Sequence, residues 1–251
     1  MKPWVTFDLD NTLLRNPYWR LHFRPWLEEQ AARQGTDYRA LWNAFRLEGE
    51  RRWRQGQWVE SFDWPDIARE LGLEPLPDPV RPSAHEVRAL ILPGAESALR
   101  RLHAADVRLG VVTNGFLRFQ KPYLDALGWE YGFKVVVTPD LVGAAKPAAR
   151  VMAHVSPGLA HIGDRLSHDI LVAQRTDRVG ILIGEGRLET DRIDPLGPAR
   201  IIPDIHLHHL GDLPNIVTWL LNRDQQASSP RDGLRPRSPV SLPHQRPIGD
   251  V

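Results

Sequence analysis

Short apolar runs recur along the chain, and each ends in polar or glycine-containing sequence. Runs rich in β-branched residues predict buried strands at residues 4–7, 108–112, 135–138, 159–162 and 179–183. Segments with apolar residues at helical spacing lie between them, at residues 95–105, 116–127 and 147–155. Strands that alternate with helices predict an α/β fold, a doubly wound parallel sheet covered by helices on both faces.

Residues 15–92 break this alternation, because the segment contains no strand pattern. We predict helices at 19–34, 38–55 and 61–71, followed by a proline-rich return at 74–82. The segment also holds most of the chain's nine tryptophans: Trp19, Trp26, Trp42, Trp53, Trp58 and Trp64. A tryptophan-rich helical face is usually buried core or a contact between domains, and the alternative is a surface on which substrate stacks.

The sequence therefore predicts two domains and a tail. The α/β core domain takes residues 1–14 and 93–222, and a smaller all-helical domain takes residues 15–92. Residues 223–251 are rich in proline and arginine and have no periodic apolar pattern, which predicts a disordered tail.

Composition narrows the functional class. The formal net charge of +1 gives no bias toward nucleic acid or an anionic membrane, so we expect a small-molecule partner and a monomer or homodimer. The absence of cysteine excludes disulfides, thiolate zinc sites and thiol nucleophiles. No apolar stretch is long enough to span a membrane, and the N-terminus does not resemble a secretion signal, so a cytoplasmic location is expected.

The first strand delivers acids to its carboxyl end. The segment WVTFDLDNTLL places Asp8 and Asp10 just after the apolar run, with Thr12 beyond them. Ligands of open α/β sheets bind at that edge, and both carboxylates can reach one pocket as the chain turns. An acidic turn or part of a calcium loop is the alternative, but the glycine and glutamate of an EF-hand are absent.

Two further segments offer groups that suit a phosphate. Thr113 and Asn114 follow the strand at 108–112, where a hydroxyl and free backbone N–H groups can hold a phosphate oxygen, although Asn-Gly is also a common turn. Lys146 lies after the strand predicted at 135–138 and directly before Pro147, and lysine is scarce in this chain. A lone lysine is normally a solvated surface residue, but this one could pair with both Asp8 and a phosphate.

Acids also follow the strand at 159–162. Asp164 could bind a hard cation directly, and Asp169 could support the site through a water molecule or by holding the direct ligands in place. The alternative is that either acid caps the next helix. Because the available ligands are all oxygens, with neither cysteine nor an ordered histidine pair, Mg²⁺ suits the set.

These four segments, in this order, resemble the haloacid dehalogenase (HAD) superfamily on its phosphatase side, over residues 1–221. The resemblance implies a Rossmann-like core with a helical cap at residues 15–92. It implies that Asp8 is the nucleophile of an aspartyl-phosphate mechanism and that Asp10 is the general acid/base and offers its backbone carbonyl to the metal.

The resemblance also implies roles for the remaining residues. Thr12 would fix the Asp10 loop, and Thr113 and Asn114 would bind the phosphoryl group. Lys146 would pair with nucleophile and phosphate, while Asp164 and Asp169 would complete the Mg²⁺ site. Dehalogenase members lack an acid two residues after the nucleophile, so the presence of Asp10 disfavours halide displacement.

Three alternatives stay open at this point. A phosphomutase of the same fold would use the same motifs, and a noncatalytic binding or regulatory module could keep the fold. A histidine metal site at His206, His208 and His209 is the third: His206 and His208 would share a face if residues 205–207 form a strand, but no third ligand is suggested and surface histidines are common. The sequence leaves the identity of the phosphorylated substrate open.

Overall fold

The computed structural model describes residues 2–129, 132–184 and 200–228, with side chains described as far as residue 223. Within these residues the strands are β1 (Trp4–Phe7), β2 (Arg108–Val112), β3 (Val135–Val137), β4 (Gly158–Gly163), β5 (Val179–Ile183) and β6 (Ile205–Leu207). They form one sheet in the order β3-β2-β1-β4-β5-β6, and every neighbouring pair is parallel. The predicted α/β class and doubly wound parallel sheet are confirmed.

Helices lie between the strands of the sheet or follow the last one. They are α5 (Ala95–Ala104), α6 (Leu117–Leu127), α7 (Pro139–Val142), a 3-10 helix (Ala149–Val155), a π-helical turn (Leu166–Ile170), α8 (Leu171–Arg175), a 3-10 turn (Leu210–Asp212) and α9 (Leu213–Ser228). The faces of α5 that hold Leu99 and Leu102 are buried, as the apolar spacing predicts. In the described part of the chain, no helix combines the length and the apolar character needed to cross a membrane.

The segment between β1 and β2 is helical, as predicted. It contains a π-helical turn (Trp19–Phe23), α1 (Arg24–Arg33), α2 (Tyr38–Arg54), a 3-10 turn (Glu60–Phe62), α3 (Trp64–Glu70) and α4 (Ala84–Arg88). Side-chain caps start several of these helices: Asp37 accepts from the Arg39 backbone N–H at 2.9 Å, and Ser83 and Glu86 form a capping box. We call residues 15–92 the helical insertion, and the domain boundaries stay a prediction.

The end of the chain differs in part from the prediction. Helix α9 continues to Ser228, so residues 223–228 are helical and do not belong to a disordered tail. These residues precede Pro230 and include arginine, glutamine and alanine, which continue a helix at little cost. The rest of the predicted tail, residues 229–251, lies outside the described residues.

The strand order creates a crevice where ligands bind in folds of this type. β1 and β4 are neighbours, with Phe7 opposite Ile162, and the chain winds from them toward opposite edges of the sheet. Such a switch point leaves an open crevice beyond the carboxyl ends of the two strands. Asp8 follows β1 directly and Asp164 follows β4 directly, so both acids stand at this crevice.

Candidate active site

The carboxyl ends of three adjacent strands place the first site residues together. The backbone N–H of Asp8 donates to the Ile162 carbonyl at 2.8 Å, and that of Thr113 donates to the Val137 carbonyl at 3.1 Å. These bonds extend the sheet ladder by one residue and fix where the two side chains leave it. Asp8, Thr113 and Asp164 all line one cavity of about 460 Å³.

Lys146 joins two acids at the base of this cavity. Its Nζ lies 2.7 Å from Asp8 Oδ1 and 2.6 Å from Asp169 Oδ1, and the lysine is only 1% exposed. A fully buried ammonium needs partners of opposite charge, because burial without them would cost several kcal/mol. The predicted pairing of Lys146 with Asp8 is present, and Asp169 is a second partner that the sequence did not assign to it.

Asn114 holds the backbone of Lys146. Its Oδ1 accepts from the Lys146 N–H at 2.8 Å, and its Nδ2 donates to the Lys146 carbonyl at 3.1 Å. This two-point contact ties the loop after β2 to the loop that carries the lysine. The Asn114 amide therefore positions Lys146, a use of the side chain that differs from the predicted contact with a phosphoryl group.

A buried histidine, His161, orients Asp169 through a hydrogen bond. His161 lies in the middle of β4, fully buried, with Nε2 3.2 Å from Asp169 Oδ1 and Nδ1 3.0 Å from Thr6 Oγ1. Burial lowers the pKa of His161 to about 4, so the ring is neutral at pH 7. Because a carboxylate only accepts, Nε2 carries the hydrogen and donates it to Asp169, while Nδ1 accepts from the Thr6 hydroxyl.

The position of Asp169 is possible only because residue 163 is a glycine. A Cβ added at Gly163 would lie 2.1 Å from the Asp169 Cγ, far inside van der Waals contact. The other carboxylate oxygen, Oδ2, accepts from the Arg165 backbone N–H at 3.0 Å. Glycine at the end of β4 thus lets the helical turn that follows bring Asp169 against the strand.

Asp10 has a separate partner, Gln120 on α6. Gln120 Nε2 donates to Asp10 Oδ2 at 2.9 Å. A Cβ at Gly115 would lie 2.0 Å from that same nitrogen, so Gly115 makes room for the contact. Asp10 Oδ1 is buried and has no hydrogen-bond partner among the described residues, which leaves it available to a bound group.

The pKa values of Asp8 and Asp10 are raised, whereas that of Asp169 is lowered. Burial, opposed by Lys146, raises the pKa of Asp8 to about 6. Burial and the Asp8 charge raise the pKa of Asp10 to about 7, with the Gln120 hydrogen bond acting in the opposite direction. Burial would also raise the pKa of Asp169, but Lys146 and His161 outweigh it and hold that pKa below its ordinary value.

The two threonines lie where the sequence places them, with different contacts. Thr113 Oγ1 accepts from the Gly115 backbone N–H at 3.2 Å, and Thr113 lines the cavity. Thr12 is fully buried, and its hydroxyl has no hydrogen-bond partner among residues that the structure describes. The loop around Thr12 is instead held by the Leu9 carbonyl, which accepts from the backbone N–H groups of Leu13 and Leu14 at 3.0 Å each.

The acids suit a hard divalent cation. Asp8, Asp164 and Asp169 each offer a carboxylate oxygen, and these atoms lie within 4.8 Å of one another. Burial and the charges of Asp8 and Asp169 raise the pKa of Asp164, as expected for a carboxyl beside other acids. Oxygen-only ligands in a partly open cavity fit Mg²⁺. Among residues 2–129, 132–184 and 200–223, no histidine group with this geometry occurs, so the histidine site is not supported.

A family model confirms the resemblance drawn from the motifs. Residues 3–177 match the model for haloacid dehalogenase-like hydrolases, a stretch that includes every site residue described above. This chain belongs to the haloacid dehalogenase-like hydrolases.

Known relatives of this hydrolase cover different shares of it. A phosphoglycolate phosphatase of Caulobacter vibrioides is 29% identical over 57% of this chain and 59% of its own length. Human haloacid dehalogenase-like hydrolase domain-containing protein 3 is 28% identical over 80% of this chain and 90% of its own length. A solved HAD phosphatase from Thermococcus onnurineus has the same fold, with a TM-score of 0.61, 23% identity and coverage of 86% of this chain and 98% of its own.

Sequence reasoning missed two side chains of this hydrolase's site, Gln120 and His161. A polar residue in the middle of the apolar strand LAHI is a signal that could have found His161, since a buried imidazole needs partners. Gln120 carries no such signal, because its role depends on how the first turn of α6 faces the loop after β1.

Proposed function

We propose that this hydrolase is an Mg²⁺-dependent phosphomonoester phosphatase that acts on a small phosphorylated metabolite through an aspartyl-phosphate on Asp8. The observation that carries the proposal is the pairing of the buried Asp8 carboxylate with Lys146 at 2.7 Å, with Asp10 on the same loop. The phosphatase name of the Caulobacter vibrioides relative supports the same class of chemistry. A cytoplasmic location and a monomer or homodimer remain our sequence-based predictions.

Asp8 is the proposed nucleophile. Lys146 bonds to Oδ1, and the ammonium offsets the negative charge that a phosphate dianion meets when it approaches a carboxylate. The other carboxylate oxygen attacks phosphorus, and the bond between phosphorus and the leaving alkoxide breaks. A water molecule then attacks the acyl phosphate, which releases inorganic phosphate and restores Asp8.

Asp10 is the proposed general acid and base. It gives a proton to the leaving alkoxide in the first step and takes one from the attacking water in the second, so protons balance over a turnover. A pKa of about 7 suits both roles, because both protonation states are populated near neutral pH. Gln120 holds the carboxyl in place through Oδ2 and leaves Oδ1 for the transferred proton.

Thr113 and Asn114 are the proposed phosphate-binding residues. Thr113 lines the cavity and would use its hydroxyl. The Asn114 amide is engaged with the Lys146 backbone, so we assign its phosphate contact to the backbone N–H. Lys146 would bind the phosphoryl group together with Asp8.

Asp8, Asp164 and Asp169 would hold Mg²⁺, together with the Asp10 backbone carbonyl. When bound, the ion supplies charge neutralisation for the transferring phosphoryl group. Lys146 contributes a fixed positive charge to two of these acids, Asp8 and Asp169, so the base of the cavity is organised before any ion binds.

The test is phosphate release from a panel of metabolite monophosphates, with Mg²⁺ and with EDTA. We expect turnover that requires Mg²⁺, and its complete loss in Asp8→Asn. Asp125→Asn is the matched control, because Asp125 is an exposed acid that pairs with Lys121 on the surface of α6. Metal-independent turnover or an active Asp8→Asn protein would refute the proposal.

The same panel distinguishes the phosphomutase and the noncatalytic module. A mutase would move phosphate between positions of a sugar and respond to a bisphosphate, without steady release of inorganic phosphate. A noncatalytic module would bind a phosphorylated ligand without turnover under any metal condition.

A further inference from the structure

The cavity that holds the acids is also lined by aromatic side chains. The rings that line it are Tyr18, Trp19, Trp42, Phe62, Trp64, Phe116 and Phe119. Five of them come from the helical insertion: Tyr18 precedes its first π-helical turn, and the other four belong to that turn, α2, the 3-10 turn and the start of α3. Aromatic side chains therefore form most of the lining that is left after the acids, Lys146 and residues 113–115.

These rings do not simply form the interior of the insertion. Phe23 and Phe45 occupy that interior and are at most 2% exposed. Trp19, Trp42 and Trp64 pack on them but stay half-buried, and all three line the cavity. An apolar ring that keeps surface open to a cavity offers a stacking face to a ligand.

The rings form a continuous group. The ring centroids of Trp19 and Trp42 are 4.3 Å apart, and those of Trp42 and Trp64 are 6.2 Å apart at an interplanar angle of 65°. Neighbouring rings hold each other in fixed orientations, so a ligand ring meets a preformed surface and little side-chain entropy is lost on binding.

The size of the cavity points the same way. A volume of about 460 Å³ lies in the range of sites that enclose drug-sized ligands, which run from about 300 to 1,000 Å³. A phosphate ester of a two- or three-carbon alcohol would touch the acids and leave the aromatic wall without a partner. A leaving group that carries a flat ring of nucleobase size would reach both.

We propose that the substrate, under the phosphatase function proposed above, is a phosphomonoester whose leaving alcohol carries a planar aromatic ring that packs against the rings of Trp19, Trp42 and Trp64. The phosphoryl group binds at Asp8 and Lys146, and the aromatic wall selects the alcohol. The sequence offered core packing and substrate stacking as alternatives for these tryptophans, and the partial exposure of these three rings on the cavity favours a contact with substrate.

The test compares adenosine 5′-monophosphate with ribose 5-phosphate. Both esters carry the phosphate on the primary 5′-oxygen of a ribose and only the first carries a nucleobase, so the ratio of their kcat/KM values reports the aromatic contact. We expect the ratio to exceed about ten, and Trp42→Ala to lower it about tenfold, the effect of one stacked ring. Trp42→Phe keeps a ring and is expected to restore most of the ratio. Trp219→Ala changes a half-exposed tryptophan on α9 and leaves the ratio unchanged.

A second measurement separates this inference from the proposed phosphatase function. Calorimetric titration of Asp8→Asn with the same two esters measures binding without turnover. Equal affinities and equal kcat/KM values for the two esters would refute the aromatic subsite and leave the phosphatase function intact. The opposite outcome is also informative. If Asp8→Asn binds the adenosine ester more tightly but the wild type turns over no ester with Mg²⁺, the aromatic subsite is supported and the phosphatase function is refuted.

Discussion

Replacing Lys146 with methionine removes one buried charge and keeps most of the side-chain volume. In the wild type, Nζ is within 2.7 Å of carboxylate oxygens of both Asp8 and Asp169, and Asp164 lies in the same cluster. The variant would leave three neighbouring carboxyls without this cation. Removing one member of a buried ion pair costs about 3 to 5 kcal/mol of unfolding free energy.

This cost converts into a measurable shift in thermal unfolding. For a chain of this size, 1 kcal/mol corresponds to roughly 2 to 4 °C, so we expect Lys146→Met to lower Tm by about 6 to 20 °C in EDTA at pH 8. Lys121→Met is the matched control, because Lys121 forms an exposed pair with Asp125 and its loss should cost less than about 1 kcal/mol. Mg²⁺ should raise the Tm of Lys146→Met more than that of the wild type, because the ion replaces the missing charge.

The pH dependence of this penalty has a defined sign. Lys146 holds the pKa values of Asp8 and Asp169 down, so the variant raises both in the folded state. A carboxyl whose folded pKa lies above its unfolded pKa loses stability as pH rises through the folded value. The Tm difference between wild type and Lys146→Met should therefore be smaller at pH 5 than at pH 8. Equal Tm values at pH 8 in EDTA would refute the buried pairing.

Two further variants test the supporting contacts. Gln120→Leu removes a hydrogen-bond donor that lowers the pKa of Asp10, so the alkaline limb of the kcat/KM profile should move up by about one pH unit. The control Gln174→Leu, on α8, should leave the profile unchanged. An alkaline limb that does not move in Gln120→Leu would contradict the assigned role. Gly163→Ala puts a Cβ against Asp169, so it should lower the free energy of unfolding, measured by chemical denaturation, by about 1 to 3 kcal/mol and weaken Mg²⁺ binding. The control is Gly211→Ala, whose Cβ enters open space. Equal stability of the two variants would contradict the close approach of Asp169 to Gly163.

Most of the sheet could be predicted from sequence because its central strands are buried on both faces, whereas the short, partly exposed edge strand β6 was not among the predicted strands. Continuous apolar runs gave the bounds of β1, β2 and β5 as the structure has them. The convergence of Asp8, Thr113 and Asp164 follows from the same pattern, because parallel strands end at one edge. The extension of α9 to Ser228 could not be read from the pattern, since its last residues have helical propensity but no apolar periodicity.

Contacts that depend on tertiary packing were beyond the sequence. The amide of Asn114 reaches the Lys146 backbone only because the loops after β2 and β3 lie side by side. Gln120 reaches Asp10 only because Gly115 leaves space beneath it. Both contacts join residues that are far apart in the chain, and neither residue type marks its partner.

The covalent intermediate on Asp8 is the claim on which the account depends. Acid quenching during turnover with Mg²⁺, followed by borohydride reduction and peptide mass spectrometry, measures it directly, because reduction converts an aspartyl-phosphate to homoserine. We expect homoserine at residue 8 and unmodified aspartate at residues 10, 164 and 169. Steady phosphate release with no homoserine at residue 8, or with the modification at another aspartate, would contradict the account.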